Sequence, residues 1–291
     1  MMQRFVRSTN PSKRLAHQVT ARFFTQGASA TDRPLVQTEV DGKIATLTLS
    51  RPPVNSLSLE MCQAISAAIK EVESHKKVMS LVLASSNPST FSAGLDLNEL
   101  YNPEPERLGE FWSSFQQVFL DLYGSRLAVI GAVGGNAPAA GCMLALSCDY
   151  RIMAASPSEG RPPLIGLNEA KFGIAAPPFL GDLLLRTIGH RQGELAMSLG
   201  TLFTPEQALN IGMVDELVDF DNVLEKSKET ALEWARIPPH ARLASKMLAR
   251  KKYLDELSAT RKDDVAHFKG FVLNDQVQVN LGAYLESLKK R

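Results

Sequence analysis

The stretch that most constrains this chain runs over residues 134–150, GGNAPAAGCMLALSCDY. In front of it, residues 127–133 (LAVIGAV) are apolar and partly β-branched, and they read as a buried strand. Behind Pro138, small residues pass into an apolar run that reads as a buried helix. The joint is nearly bare of side chains, so a ligand can come close to its backbone. The first N–H groups of a helix have no internal partner and favour negative charge. Strand, bare turn and helix make a candidate anion or oxyanion site. Close packing of helix on strand is the alternative that this stretch alone leaves open.

A second segment has the same build. Residues 79–84 read as a buried strand and 85–90 as a polar turn. Residues 91–100 (FSAGLDLNEL) follow, with small residues placed where a helix is expected to open. Two such turns point to a shared site, although the sequence does not show that they meet.

Around these segments the chain alternates strand and helix. Residues 36–50 hold two alternating runs broken at Asp41-Gly42, a strong hairpin signal. Ser58 is placed to cap a helix over 59–73, in which Met61, Ile65, Ile69 and Val72 keep helical spacing. Residues 101–107, rich in Pro and Glu, predict a loop; 108–123 predict an amphipathic helix, and 149–154 a further strand. Residues 156–163 predict a surface loop. Helices are expected over 179–188, 191–199, 205–211, 220–234, 241–257, 260–269 and 281–288, with an extended piece over 212–218. Thr204-Pro205-Glu206-Gln207 has the form of a helix cap. The pattern predicts an α/β protein with βαβ units and a mostly parallel sheet.

Between the last loop and the helical tail stands Glu169, among Leu167, Phe172, Ile174 and Pro177. A carboxylate in apolar company has a raised pKa, which suits a general base. An exposed or capping glutamate is the alternative.

Other chemistries find no support. There is no GxGxxG, P-loop or G-x-S-x-G elbow. His17, His75, His190, His240 and His267 lack metal-ligand spacing, and so do Cys62, Cys142 and Cys148. The odd cysteine count suits a reducing compartment. A formal net charge of +1 gives no argument for a nucleic-acid partner. No apolar run approaches the roughly 20 residues of a membrane span. The basic residues are unevenly spread: residues 1–31 carry Arg4, Arg7, Lys13, Arg14 and Arg22 and no acidic residue. That is the composition of a mitochondrial transit peptide, with a disordered basic tail as the alternative. Without it, 27 basic residues face 31 acidic ones, leaving a formal charge of −4.

Taken together, the segments resemble the crotonase, or enoyl-CoA hydratase/isomerase, superfamily. The carriers are Phe91-Ser92-Ala93-Gly94-Leu95-Asp96-Leu97, then Pro138-Ala139-Ala140-Gly141-Cys142 with Cys148-Asp149-Tyr150-Arg151-Ile152, then Gly166-Leu167-Asn168-Glu169 with Phe172-Gly173-Ile174. Pro53-Val54-Asn55-Ser56-Leu57-Ser58-Leu59-Glu60 and Ile188-Gly189-His190-Arg191 are similar to its isomerase branch. The resemblance implies a spiral of ββα units over residues 32–218 and a helical region over 219–291 that helps to build homotrimers. It implies an oxyanion hole formed by the Leu95 and Ala140 N–H groups, and a CoA-thioester pocket lined by Ala93, Gly94, Leu95, Asp96, Leu97, Ala140 and Asn168. Ala140 stands where the family usually has Gly, but its N–H survives.

Family hydratases carry two glutamates; here the first position is Met143 and the second is Glu169. One base with an apolar partner favours moving a double bond over adding water. The expected reaction is conversion of cis- or trans-3-enoyl-CoA to trans-2-enoyl-CoA in β-oxidation of unsaturated fatty acids. It would run in the mitochondrial matrix with Glu169 as catalytic base and no cofactor, CoA being part of the substrate. An enoyl-CoA hydratase or other crotonase-type reaction, and a non-catalytic acyl-CoA-binding trimer, are the alternatives.

Overall fold

The computed structural model describes residues 34–289, so the expected transit peptide lies outside the described residues. The chain opens with the hairpin of β1 (Val36–Asp41) and β2 (Ile44–Leu49), turned at Gly42, whose φ of +58° suits glycine. Helix α1 (Leu59–Ser74) follows, and the Ser58 side chain accepts from the Met61 N–H at 3.3 Å as its cap. Then come β3 (Ser80–Ser85), α2 (Pro105–Tyr123) and β4 (Ala128–Val133). The short strand β5 (Ala137–Pro138) leads into α3 (Ala140–Leu146), and β6 (Tyr150–Ala154) and the short β7 (Ile165–Gly166) complete the central part. Helices α4 (Pro178–Ile188), α5 (His190–Leu199) and α6 (Pro205–Asn210) precede β8 (Glu216–Val218). The chain ends in α7 (Val223–Trp234), α8 (Pro239–Val272) and α9 (Asp275–Lys289).

The main sheet has the order β1-β2-β3-β4-β6-β8, antiparallel at the hairpin and parallel elsewhere. Alternation along the strands divides the core. Leu81, Leu83, Val129 and Val133 face α1 and α2, while Val82, Ala84, Ile130 and Ala132 face α7 with its Val223 and Ala231. A sheet covered on both faces explains the continuous apolar runs of β3 and β4. Both candidate turns leave the C-terminal ends of these parallel strands, where ligands bind in open α/β sheets.

Four expectations need correction, one being the last helix, which begins at Asp275 and not at 281. Residues 91–100 open no long helix: a single 3-10 turn over Leu97–Glu99 is all that forms, because the segment lies extended beside Leu57. The expected loop over 101–107 is too long, since α2 begins at Pro105 with the Glu104 carboxylate accepting from the Glu106 and Arg107 N–H groups. The helices expected over 241–257 and 260–269 are one helix, α8. Ser258 and Thr260 donate their hydroxyls to the carbonyls of Leu254 and Glu256 one turn back, which keeps them inside a helix that their residue types disfavour.

The first half of α8 is fixed to the N-terminal ends of the strands. Arg242 donates to Met79 O at 2.8 Å, and Lys246 donates to Leu127 O at 3.1 Å. Asp149, 6% exposed, holds Lys246 at 2.8 Å and Arg250 at 2.9 Å. The second half stacks Phe268 on Trp112 of α2 at 3.5 Å, and Trp112 Nε1 donates to Asp264 at 2.7 Å.

Candidate active site

Glycines bring the two bare turns together. A Cβ on Gly94 would lie 3.0 Å from Ala140 N and 3.1 Å from Ala139 Cβ, and φ at Gly94 is +91°. A Cβ on Gly141 would lie 2.1 Å from Ser92 O. Phe91 N and Ser92 N both donate to Asn136 O, at 2.8 and 3.3 Å. The turn at Ala139 is taken without glycine, at φ 51° and ψ −126°. Such a conformation costs an alanine about 1–3 kcal/mol and persists only where its surroundings impose it. Here Ala139 N donates to Gly166 O at 2.8 Å, and Ala139 O accepts from Cys142 N and Met143 N.

Two backbone donors are left over. Among the described residues, neither Leu95 N nor Ala140 N has an intramolecular acceptor, although both neighbours of Leu95 are bonded to Leu57. Leu95 follows Gly94, whose Cβ position abuts Ala140 N, so both N–H groups belong to the stretch where the two turns touch.

The third segment runs beside them. Gly166 tethers it to Ala139, and a 3-10 turn over Glu169–Phe172 is closed by Gly173 in the left-handed conformation. Glu169 is half-buried, with its Oε2 enclosed and without a hydrogen-bond partner. Burial raises its pKa from an ordinary 4.5 to about 7. Among the described residues only one other buried carboxylate oxygen lacks a hydrogen bond, Asp121 Oδ2, and that one has Lys70 Nζ at 3.6 Å. Asn168 Oδ1 is likewise buried without a partner. Burial, and then the charge of Glu169, push up the thiol of Cys142 on the second turn, which places the carboxyl next to α3.

The remaining named residues fall into two groups. Ala93, Gly94 and Leu97 lie on the first turn with Leu95. Asp96 is there too, but its carboxylate is bound to Arg51 at 2.6 Å. Met143 is fully buried in α3, and Ser147 Oγ lies 3.3 Å from its sulfur. Helix α9, expected over 281–288 without a role at the site, also reaches this region. Gln278 on α9 accepts from Asn102 N at 2.8 Å and donates to Leu100 O at 2.9 Å, while Tyr284 packs on Phe172 with ring centroids 4.2 Å apart. Helix α9 therefore spans from the first turn to the Glu169 segment of its own chain. Only the glutamine's two-sided amide, unremarkable in sequence, marks it. Among the described residues no group of three His, Cys, Asp or Glu could hold a metal ion, and no helix is long and apolar enough to cross a membrane.

This is an α/β protein with two unbonded backbone donors on touching turns and one desolvated carboxyl on the segment tethered to them. The chain belongs to the enoyl-CoA hydratase/isomerase family of the crotonase superfamily, whose profile matches residues 39–291. It is 42% identical over 262 residues to mitochondrial enoyl-CoA delta isomerase 1 of Mus musculus, covering 90% of this chain and 89% of that protein. It superposes on the crystal structure of human mitochondrial delta3-delta2-enoyl-CoA isomerase with a TM-score of 0.85 and 40% identity, covering 88% of this chain and 98% of that one. An enoyl-CoA hydratase from Bacillus halodurans is more distant, with a TM-score of 0.77 and 25% identity over 86% of this chain and 99% of its own.

Proposed function

We propose that this protein is a delta3-delta2-enoyl-CoA isomerase that converts 3-enoyl-CoA to trans-2-enoyl-CoA. The observation that carries the proposal is the desolvated carboxyl of Glu169, whose enclosed Oε2 has no hydrogen-bond partner and whose pKa burial raises to about 7. In this reading the Leu95 and Ala140 N–H groups hold the thioester oxygen, and Glu169 removes a proton from C2. The electron pair moves into the conjugated system, giving a dienolate whose oxygen the two N–H groups stabilise. Glu169, now protonated, returns the proton to C4, leaving the double bond between C2 and C3. The reaction is redox-neutral and moves one proton, so CoA enters only as part of the substrate. Asn168 lines the pocket beside the carboxyl. An apolar residue at Met143 leaves no second carboxylate to hold a water for addition. The similarity to mitochondrial isomerases supports a matrix enzyme, and the family supports a homotrimer built through the helices after β8.

The test is turnover of trans-3-hexenoyl-CoA, followed by the ultraviolet absorbance of the conjugated product, with hydration of trans-2-hexenoyl-CoA in parallel. Rapid conjugation with little hydration is expected. Hydration without conjugation would assign a hydratase, and thioester binding without turnover would assign a non-catalytic binding protein.

A further inference from the structure

Leu95 and Leu57 meet at an isolated parallel bridge with no ladder on either side. Leu57 N donates to Gly94 O at 2.8 Å, and Asp96 N donates to Leu57 O at 2.9 Å. Gly94 O and the Leu95 N–H belong to one trans peptide plane and point in opposite directions. By holding Gly94 O, Leu57 fixes that peptide plane and turns the Leu95 N–H away from itself, in a turn where Gly94 abuts Ala140. The aim of this donor depends on how firmly Leu57 and Leu95 are held in register.

A single guanidinium holds them. Arg51 Nη2 lies 2.6 Å from Asp96 Oδ2, next in sequence to Leu95. Arg51 Nη1 donates to Ser56 O at 3.1 Å and also to Ser56 Oγ, next in sequence to Leu57. Ser56 Oγ in turn donates to Asp96 Oδ2 at 3.3 Å. The other carboxylate oxygen, Oδ1, accepts from Asn98 N at 3.0 Å and Asn98 Nδ2 at 2.9 Å. The Asp96 side chain is 9% exposed and that of Arg51 27%, so the pair is shielded and its geometry stiff. Burial opposes the charge of Asp96, but Asn98 and Arg51 overcome it and hold the carboxyl below its ordinary pKa. Arg51 is anchored at its backbone, where its N–H donates to Asn55 Oδ1 at 2.7 Å. With both oxygens engaged inside the protein, Asp96 has no face left for a substrate.

We propose that Arg51 and Asp96 are positioning residues: their ion pair locks the register of Leu57 against Leu95 and so aims the Leu95 N–H at the substrate's thioester oxygen. The proposal rests on the oxyanion reading above. Loss of the pair leaves the donor present but misaimed, and misplacement of a catalytic group by fractions of an ångström is costly in rate.

The experiment uses the purified protein with Asp96→Asn, Arg51→Met and Arg51→Lys. It measures kcat and KM on trans-3-hexenoyl-CoA, and the infrared carbonyl band of trans-2-hexenoyl-CoA, ¹³C-labelled at the thioester carbon, bound to each. In Asp96→Asn and Arg51→Met, kcat should fall about 10- to 100-fold, no more than the ~10²–10³ that follows outright loss of one donor. KM should stay within about threefold, as expected when transition-state stabilisation alone is lost. The bound carbonyl band should move back toward its position in water, and Arg51→Lys should recover part of both kcat and band shift. A residue that merely supported the fold would lower the yield of folded enzyme without moving the carbonyl band of the folded fraction. Unchanged kcat and band in either charge-removing variant, or a raised KM at unchanged kcat, would overturn the proposal. If one variant fails to fold, the other two still decide it. Wild-type enzyme that turns over no 3-enoyl-CoA, or shows no carbonyl shift, sinks the oxyanion reading itself, a failure visible before any variant is compared.

Discussion

Replacing Glu169 by Gln should abolish activity and stabilise the protein, and the two effects share one cause. Burial raises the Glu169 pKa from 4.5 to about 7. At about 1.4 kcal/mol per tenfold change in proton affinity, the folded state carries roughly 3 kcal/mol of unfavourable energy for keeping that carboxyl ionised. Between these two pKa values the folded protein binds more protons than the unfolded chain, so stability falls as pH rises from about 4.5 to 7. Above pH 7 the penalty is complete; below 4.5 it is absent. Glutamine keeps the shape and removes the charge, so its gain over wild type should be about 3 kcal/mol at pH 8 and less than half of that at pH 5.5. For a chain of this length that is a rise in Tm of about 5–10 °C at pH 8. Thermal unfolding at the two pH values, at one protein concentration, reads the gain; the conjugation assay reads the loss of activity, by about 10²–10⁴ or more. A gain of equal size at both pH values, or none at pH 8, would show that the carboxyl is not desolvated. Retention of most activity would show that another group is the base.

Further outcomes follow from the same geometry. In wild type, kcat/KM should rise about tenfold per pH unit below 7 and level off above it, because the free enzyme must present Glu169 ionised; a profile flat from pH 5.5 to 8.5 would contradict this. Gly94→Ala would place a methyl group 3.0 Å from Ala140 N at a φ of +91°, so kcat should fall at least ~10²-fold, as for loss of an oxyanion donor. Steady-state kinetics on soluble, folded protein would check it. Asp149→Ala would leave Lys246, with 7% of its side chain exposed, buried without its carboxylate, and should cost about 3–5 kcal/mol in urea unfolding.

What could be read from the sequence was what depends on neighbours in the chain. Ser58, Thr204 with Gln207, and Asp41-Gly42 announce two helix starts and a hairpin because caps and tight turns are satisfied locally. The apolar company of Glu169 likewise implies a raised pKa. The misreadings came where a distant partner overrules a local preference. Residues 91–100 have the small-then-polar look of a helix start, but Leu57 takes up their backbone as an extended edge. Ser258 to Thr260 look like a break, but α8 is anchored on both sides of them, by Trp112 stacking on Phe268 and by Asp149 binding Lys246 and Arg250. Glu104 is seldom read as a cap, yet Pro105 at the first helical position was a local clue to the true start of α2.

The site itself is defined by a balance that no single segment contains. Almost every polar group around the two turns is bonded to another: Asn55 to Ser85 and Phe91, Ser92 to Asn55 and Gly94, Asp96 to Arg51 and Asn98, Glu99 to Arg107 and Leu59. Buried donors and acceptors left without partners are costly, so folded proteins rarely keep them without a use. Here the remainder is the Leu95 and Ala140 N–H groups on one side, and Glu169 Oε2 and Asn168 Oδ1 on the other. The turns that carry the two donors meet at Gly94 and Ala139, which can approach because one has no Cβ and the other holds a conformation unusual for alanine. The acceptors are tied to the same place through Gly166 and Ala139. In the proposed reading a thioester oxygen accepts from the two N–H groups while Glu169 takes a proton from C2. On that reading, the groups that the folded chain leaves unpaired are kept for the transition state.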